Sequence, residues 1–190
     1  AVGEQALALL RASGLRRIEA TVLENLGRVA AAEGDRERAM QSFGAALALA
    51  REIGLRAIEA STLLDIGRLH TEGGQVEHAD TALAAAGRLM TELGDPLGVL
   101  EVQAARATRL LLDATRADAE RARAARAELE PLVTRLLAPA EDEAAAPMAL
   151  YLVAWRVLRA AGDERAAALL LRAHAELRER AARCLLYTSR

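Results

Sequence analysis

The first half of the sequence repeats itself with an offset of 40 residues, and this repeat constrains the fold more than any other feature. The segment from Ile18 to Ala57 sets the pattern, and Ile18-Glu19-Ala20 returns as Ile58-Glu59-Ala60. The same offset aligns Gly27-Arg28 with Gly67-Arg68, Gly34 with Gly74, and Ala39 with Ala79. A period of this length is typical of solenoids, in which each repeat is one supersecondary unit that buries its apolar face against its neighbours.

Each repeat contains two segments with helical periodicity, separated by a glycine turn. In the first repeat the apolar stripe of the first helix is Ile18, Val22, Leu26 and Val29. Gly34-Asp35 then predicts a helix end followed by the N-cap of the next helix. The second helix carries Ala39, Phe43, Ala46, Leu47, Ala50 and Ile53 on one face and ends at Gly54. Two helices joined by so short a turn are predicted to form an antiparallel hairpin.

The remaining chain follows the pattern less closely. Residues 2–13 predict an orphan N-terminal helix that leaves Leu7 and Leu10 partly uncovered. Residues 96–146 have a weaker register: a helix from Pro96 to Asp113, a turn at 113–118, a helix at 119–137 that Pro131 should kink or split, and a linker at 138–147. Residues 148–161 and 164–183 predict a fourth hairpin. The fold prediction is therefore an all-α repeat domain over residues 1–183, with residues 184–190 a non-native or disordered tail.

Composition excludes several classes of protein. Apolar residues make up 53% of the chain and aromatic residues only 2%, which favours close-packed helices over sheets. The formal net charge of -2 offers no strong field for nucleic acid or an anionic membrane, so neither is expected as a partner. Cys184 is the only cysteine, so an internal disulfide is excluded. With no visible secretory signal, a cytoplasmic location is expected.

No constellation of catalytic residues is evident, and the sequence predicts neither an enzyme, a cofactor nor a metal site. All 25 basic residues are arginine, so a phosphate-binding loop with its lysine and lysine Schiff-base chemistry are both excluded. His70 and His78 flank one turn and leave two interpretations open, a shared metal or ordinary turn histidines. Tyr151 and Trp155 lie one helical turn apart and are interpreted as core residues rather than a ligand cage.

The pattern of these repeats resembles the tetratricopeptide repeat family. Leu26-Gly27 and Ile66-Gly67 align with that family's Leu-Gly pair, and Gly34-Asp35 and Gly74 with its turn. The small, aromatic and alanine positions of its second helix match Ala39, Phe43 and Ala46, then Ala79, Leu83 and Ala86. The family's usual period is about 34 residues, so this chain resembles its longer, 40-residue variety. Residues 156–163 also resemble C-terminal repeat regions of large bacterial signalling proteins.

The resemblance implies a partner-binding groove lined by the first helix of each hairpin. The residues at the corresponding positions here are Asn25, Arg28, Asp65 and Arg68, with Thr108, Arg156 and Arg159 further along. Arginine forks suit carboxylates, so a protein or peptide partner with acidic groups is expected. An alternative remains open, since Glu24–Arg28, Asp65–Arg68 and Arg68–Glu72 have the spacing of intrahelical ion pairs that need no ligand.

Two functions are therefore expected, from different classes. The first is a non-enzymatic protein–protein interaction scaffold that binds a peptide or partner domain in a concave groove. The second is an intramolecular regulatory or sensor segment of a larger signalling ATPase, nucleotide cyclase or LuxR-type transcriptional regulator, packed on other domains of the same parent chain. A cyclase, ATPase or helix-turn-helix module in the full open reading frame would favour the second.

Overall fold

The structure is a computed structural model that describes the backbone of residues 2–113, 117–138 and 146–188. Side chains are described for residue 5 and for residues 7–113, 117–138 and 146–184. Half of the predicted turn at 113–118 and most of the predicted linker at 138–147 lie outside the described residues.

Within these residues the secondary structure is entirely helical. The helices are α1 (Val2–Ala12), α2 (Arg16–Ala32), α3 (Arg36–Glu52), α4 (Arg56–Glu72), α5 (Val76–Glu92), α6 (Pro96–Leu112), α7 (Asp118–Leu137), α8 (Met148–Ala160) and α9 (Arg165–Thr188). Sequence neighbours pack as pairs, so the predicted all-α, solenoid-like repeat fold is confirmed. The chain divides into two compact units, residues 1–105 and 106–190.

Glycine turns set the hairpins of the first unit. Gly34 lies in the turn after α2 and has a φ of 79°, and its counterpart Gly74 in the turn after α4 has a φ of 68°. This left-handed conformation is readily accessible only to glycine, which explains the recurrence of glycine at the 40-residue offset. Asp35 then caps α3 by accepting a hydrogen bond from the Arg38 backbone N–H at 3.1 Å.

The glycines inside the first helices allow neighbouring helices to approach closely. A Cβ added at Gly27 would lie 2.5 Å from the Phe43 ring on α3, and one at Gly67 would lie 2.6 Å from Cδ2 of Leu83 on α5. Carbon atoms normally pack at about 3.5–4.0 Å. Glycine at positions 27 and 67 therefore permits the close contact between α2 and α3 and between α4 and α5.

Among the described residues, three apolar clusters lie in the core of the first unit. The first centres on Ala20 and Leu23 of α2 with Ala46 and Leu49 of α3. The second joins Ala30, Ala39 and Phe43 of the first hairpin to residues of the next, and the third continues through α4 and α5 to α6. Each cluster spans adjacent helices, which is how a repeat array distributes its core.

Ion pairs between helices follow the same repeat. Arg16, the first residue of α2, pairs with Glu52, the last of α3, and Arg56 pairs in the same way with Glu92 across the next hairpin. The turns between hairpins are also bridged, by Arg11–Glu19 at 2.7 Å and Arg51–Glu59 at 2.8 Å. Equivalent ion pairs therefore recur at the same 40-residue offset as the helices.

The N-terminal end of the first unit differs from the prediction for Leu7 and Leu10. Leu7 is buried in the first cluster and Leu10 is half-buried, so Leu7 is not uncovered. The large exposed apolar residues there are instead Leu9 on α1, Leu15 in the turn after it, and Ile18 and Val29 on α2. The cause is geometric, because α2 covers Leu7, whereas nothing among the described residues covers the opposite side of the α2 stripe.

In the second unit, α7 runs unbroken from Asp118 to Leu137 through Pro131. The predicted split of the helix at Pro131 is therefore wrong. Proline removes one backbone hydrogen bond, but Pro131 itself is exposed, while Leu129, Leu132, Val133 and Leu136 around it are buried. Burial of four large side chains offsets the cost of one missing bond.

Helices α8 and α9 pack as the predicted fourth hairpin. Tyr151 is buried, which confirms its interpretation as a core residue, whereas Trp155 is only half-buried with the Arg159 guanidinium 5.2 Å from its ring centroid. The helix α9 extends to Thr188, five residues past the predicted domain end at residue 183. Residues 189–190 lie outside the described residues, and the non-native origin of 184–190 stays a prediction.

Candidate partner-binding face

The first helices α2, α4 and α6 are joined by a ladder of ion pairs. The Nε of Arg28 on α2 donates to Asp65 on α4 at 2.6 Å, and Nη2 of Arg28 pairs with Glu24 at 3.1 Å. Arg68 on α4 pairs with Asp65 at 3.4 Å and with Glu101 on α6 at 3.2 Å. Each arginine therefore reaches forward to a carboxylate on the next first helix.

Two carboxylates of this ladder are less exposed to solvent than the arginines that they bind. Glu24 and Asp65 are buried, and Glu24 also accepts hydrogen bonds from the hydroxyls of Ser61 and Thr62. Although partial burial opposes it, the charge of Asp65 and its hydrogen bond raise the pKa of Arg28 above the ordinary value for arginine. Arg28 is therefore a cation at neutral pH.

The guanidinium groups remain accessible. The side chains of Arg28 and Arg68 are 46% and 43% exposed, and both contact the same Asp65. Asn25, one helical turn before Arg28, is exposed as well. The structure thus brings four of the predicted site residues together on adjacent first helices: Asn25, Arg28, Asp65 and Arg68.

The intrahelical alternative is also partly correct. Glu24–Arg28 and Asp65–Arg68 form as predicted, but Arg68 turns to Glu101 as its second partner rather than to the predicted Glu72. Neither Glu101 nor the Arg28–Asp65 contact was predicted from the sequence. The signal was weak, because the two acceptors are 36 residues apart and so do not share the 40-residue offset of the two arginines.

The other three predicted residues belong to the second unit. Thr108 is half-buried on α6, and Arg156 and Arg159 are exposed on α8. Arg159 lies over the ring of Trp155. Their participation in one groove with the α2–α4 residues stays a prediction.

The histidine pair lies in the first unit beside a positive charge. The ring centroids of His70 and His78 are 5.2 Å apart, and the Nδ1 of His70 is 2.5 Å from the Gln75 side-chain oxygen. That oxygen also accepts a hydrogen bond from Arg36 at 2.7 Å. A guanidinium so close disfavours a cation, and no cluster of three or more potential metal ligands occurs among the described residues.

A second ion-pair cluster holds the turn between α8 and α9 to α7. Asp163 pairs with Arg126 at 2.5 Å and with Arg165 at 2.8 Å, while Arg165 also pairs with Glu130 at 2.6 Å. The hydrogen bond from Arg165, opposed by burial and reinforced by the Arg165 backbone N–H and Arg126, holds the pKa of Asp163 far below its ordinary range. Such complete pairing indicates a structural role rather than an acid–base one.

No described helix combines the length and hydropathy needed to cross a membrane. Neither a protein-family model nor a curated protein sequence matches this chain.

A solved structure resembles this chain: BtubC (BKLC) from P. vanneervenii, at 19% sequence identity and a TM-score of 0.60. The similarity covers 88% of this chain and 65% of the length of BtubC. An identity this low carries the fold alone. The chain therefore shares a helical repeat-like fold with BtubC, while membership of the tetratricopeptide repeat family stays a prediction.

Proposed function

We propose that this chain is a non-enzymatic, cytoplasmic protein–protein interaction scaffold that binds a peptide or partner domain along its first helices. The observation that carries the proposal is the pair of half-exposed guanidinium groups of Arg28 and Arg68, held on successive helices by the buried Asp65. Both arginines are immobilised before a ligand arrives, which reduces the entropy cost of binding.

The charges of the ladder define which partner group fits. Glu24, Asp65 and Glu101 outnumber the two arginines, three to two, so the ladder carries a net charge of -1 and does not attract acids by its overall field. Glu101 is the most accessible of these carboxylates, with 31% of its side chain exposed against 8% for Asp65. A partner carboxylate would bind by taking the place of Glu101 on Arg68.

Peptide binding tests whether a partner carboxylate displaces Glu101 from Arg68. Peptides would be selected from an acidic display library on the full chain, and their affinities measured by fluorescence anisotropy. Arg68→Ala should weaken binding at least tenfold because it removes the guanidinium fork, whereas Glu101→Gln should strengthen it by removing the competing carboxylate. Arg88→Ala, at an exposed arginine on α5, is the matched control and should leave affinity unchanged.

The results also separate a specific site from general charge attraction. If Arg68→Ala and Arg88→Ala weaken binding equally, the peptides respond to net charge and the proposed face is wrong. Affinity should also fall with added salt, because exposed charges are screened within about 8–10 Å at physiological ionic strength.

The second candidate function, a regulatory segment of a larger signalling ATPase, nucleotide cyclase or transcriptional regulator, is favoured by a different observation. Ile18 and Val29 present exposed apolar surface on α2. Apolar surface of this kind suits packing against another domain of the same parent chain. The test is the full open reading frame, since the absence of any such module would remove this candidate.

A further inference from the structure

The internal repeat shows which apolar residues lack a neighbour. Leu9 on α1 is 70% exposed, whereas its counterpart at the 40-residue offset, Leu49 on α3, is 8% exposed. Val29 on α2 is 53% exposed, whereas its counterpart Leu69 on α4 is 5% exposed. The exposed fractions differ because the covered counterparts have a neighbour that Leu9 and Val29 lack.

A single helix covers both counterparts. Leu49 belongs to the same apolar cluster as Ala20 and Leu23 of α2, and Leu69 belongs to the cluster that contains Ala30 of α2. Helix α2 contacts both α3 and α4 along the array. At the 40-residue offset, α1 corresponds to α3 and α2 corresponds to α4. The equivalent of α2 at this earlier position would be one helix that contacts both α1 and α2.

Polar residues on α2 extend the correspondence. On α4, Ser61 donates a hydrogen bond to Glu24 and Asp65 accepts one from Arg28. Helix α4 therefore binds a Glu–Arg pair whose members are four residues apart on α2. The counterparts of Ser61 and Asp65 on α2 are Thr21 and Asn25, and both are exposed. A threonine hydroxyl can donate to a glutamate, and an asparagine oxygen can accept from an arginine.

We propose that the groove between α1 and α2 binds one amphipathic α-helix of a partner, patterned like α2 and lying parallel to α2 and antiparallel to α1. Its apolar stripe covers Leu9 and Val29, and a Glu–Arg pair four residues apart on its flank meets Thr21 and Asn25. This site adjoins the face of Arg28 and Arg68 and shares Asn25 with it, but it does not include the two arginines. A second copy could not offer its own α2 or α4 as this helix, because the equivalent faces of both are buried within its own fold.

The test supplies the missing helix in the register that the repeat defines. Because Ala1 is the counterpart of Gln41, a copy of residues 16–40 fused directly ahead of Ala1 would place a second α2 against α1. The matched control is the same fusion with glutamate at the positions in the copy that correspond to Leu23 and Ala30. The fusion should raise the melting temperature measured by circular dichroism, and the control fusion should not.

A substitution in the groove then tests where the added helix binds. Val29→Glu should shift the melting temperature of the natural chain by less than about 2 °C, since the site is exposed. In the fusion the same substitution buries a charge and should lower the melting temperature by about 5 °C or more. Equal shifts in the two chains would overturn the proposal.

The oligomeric state gives an independent outcome. The natural chain should be monomeric by light scattering at micromolar concentration. A dimer that Val29→Glu converts to a monomer would show that a second copy occupies the groove, and the proposal of a partner helix would be wrong.

Discussion

The contact between Gly27 and Phe43 offers a direct test of the helix packing. Gly27→Ala adds a single methyl group whose carbon would lie 2.5 Å from the Phe43 ring, about 1.0–1.5 Å closer than ordinary carbon contact. The ring is fully buried, so it has no solvent space into which to move. Forcing a methyl group into such a site costs about 1–3 kcal/mol.

Helix propensity acts in the opposite direction and must be subtracted. Replacing glycine by alanine inside a helix stabilises it by about 0.5–1 kcal/mol. Gly44 on α3 provides the matched control, since a Cβ there would meet no atom within 4 Å. Gly44→Ala should therefore gain the full propensity term, and the free energies of unfolding of the two variants should differ by about 1–3 kcal/mol.

Thermal unfolding followed by circular dichroism measures this difference. For a chain of this size, 1 kcal/mol corresponds to about 2–4 °C, so the melting temperature of Gly27→Ala should lie about 2–12 °C below that of Gly44→Ala. Phe43→Leu should cost less in the Gly27→Ala background than in the natural chain, because the smaller side chain relieves the clash. If Gly27→Ala stabilises the protein as much as Gly44→Ala does, the close approach of α2 and α3 is refuted.

Three further predictions concern charges and the proline. Arg28→Ala leaves the buried Glu24 without a guanidinium and should cost about 1 kcal/mol or more in free energy of unfolding. Arg68→Ala should cost about 0–1 kcal/mol, because Arg28 still pairs with the buried Asp65. The double variant leaves this buried carboxylate without a guanidinium and should cost at least about 1 kcal/mol more than the sum in urea unfolding; additive losses would contradict the shared pairing. The pKa of Asp163 is lowered in the folded state, so its contribution to stability is present above the unfolded pKa of about 3.9 and is lost as the pH falls towards the folded value. Asp163→Asn should therefore be less stable than the natural chain at pH 7, with a gap that narrows below about pH 4; a gap independent of pH would show that the charge contributes nothing. Pro131→Ala restores a backbone hydrogen bond at an exposed helical position and should raise the free energy of unfolding by up to about 3 kcal/mol, measured as a higher melting temperature. A lower melting temperature would mean that the proline ring makes a necessary contact.

The repeat predicted the hairpins because turns and close helix contacts depend on local chemistry. Gly34 and Gly74 adopt a left-handed conformation that few other residues tolerate, and Gly27 and Gly67 lie where a side chain cannot fit. Such requirements leave the same residue at the same place in each repeat. A sequence pattern can therefore identify them without knowledge of the neighbours.

Burial at the end of an array depends on which neighbours are present, and this information is absent from a local pattern. Val29 and Leu69 are both apolar and occupy the same position in the repeat, yet only Leu69 is covered. The ion-pair ladder eluded prediction for a related reason. Arg28 and Arg68 are 40 residues apart, but their acceptors Asp65 and Glu101 occupy different positions within the repeat. Each arginine meets its acceptor only because neighbouring first helices pack side by side.

The ion pairs Arg16–Glu52 and Arg56–Glu92 have a mechanical consequence. Each pair joins the first and last residues of one hairpin, so tension applied along the chain enters these two hairpins at the ion pair. Once a pair is broken, its two helices can peel apart from their open end towards the glycine turn. A hairpin of about 40 residues releases a contour length of roughly 140 Å when it extends fully. In a single-molecule pulling experiment, the first unit should thus extend in discrete steps of this size, and high salt should lower the force at which each step begins.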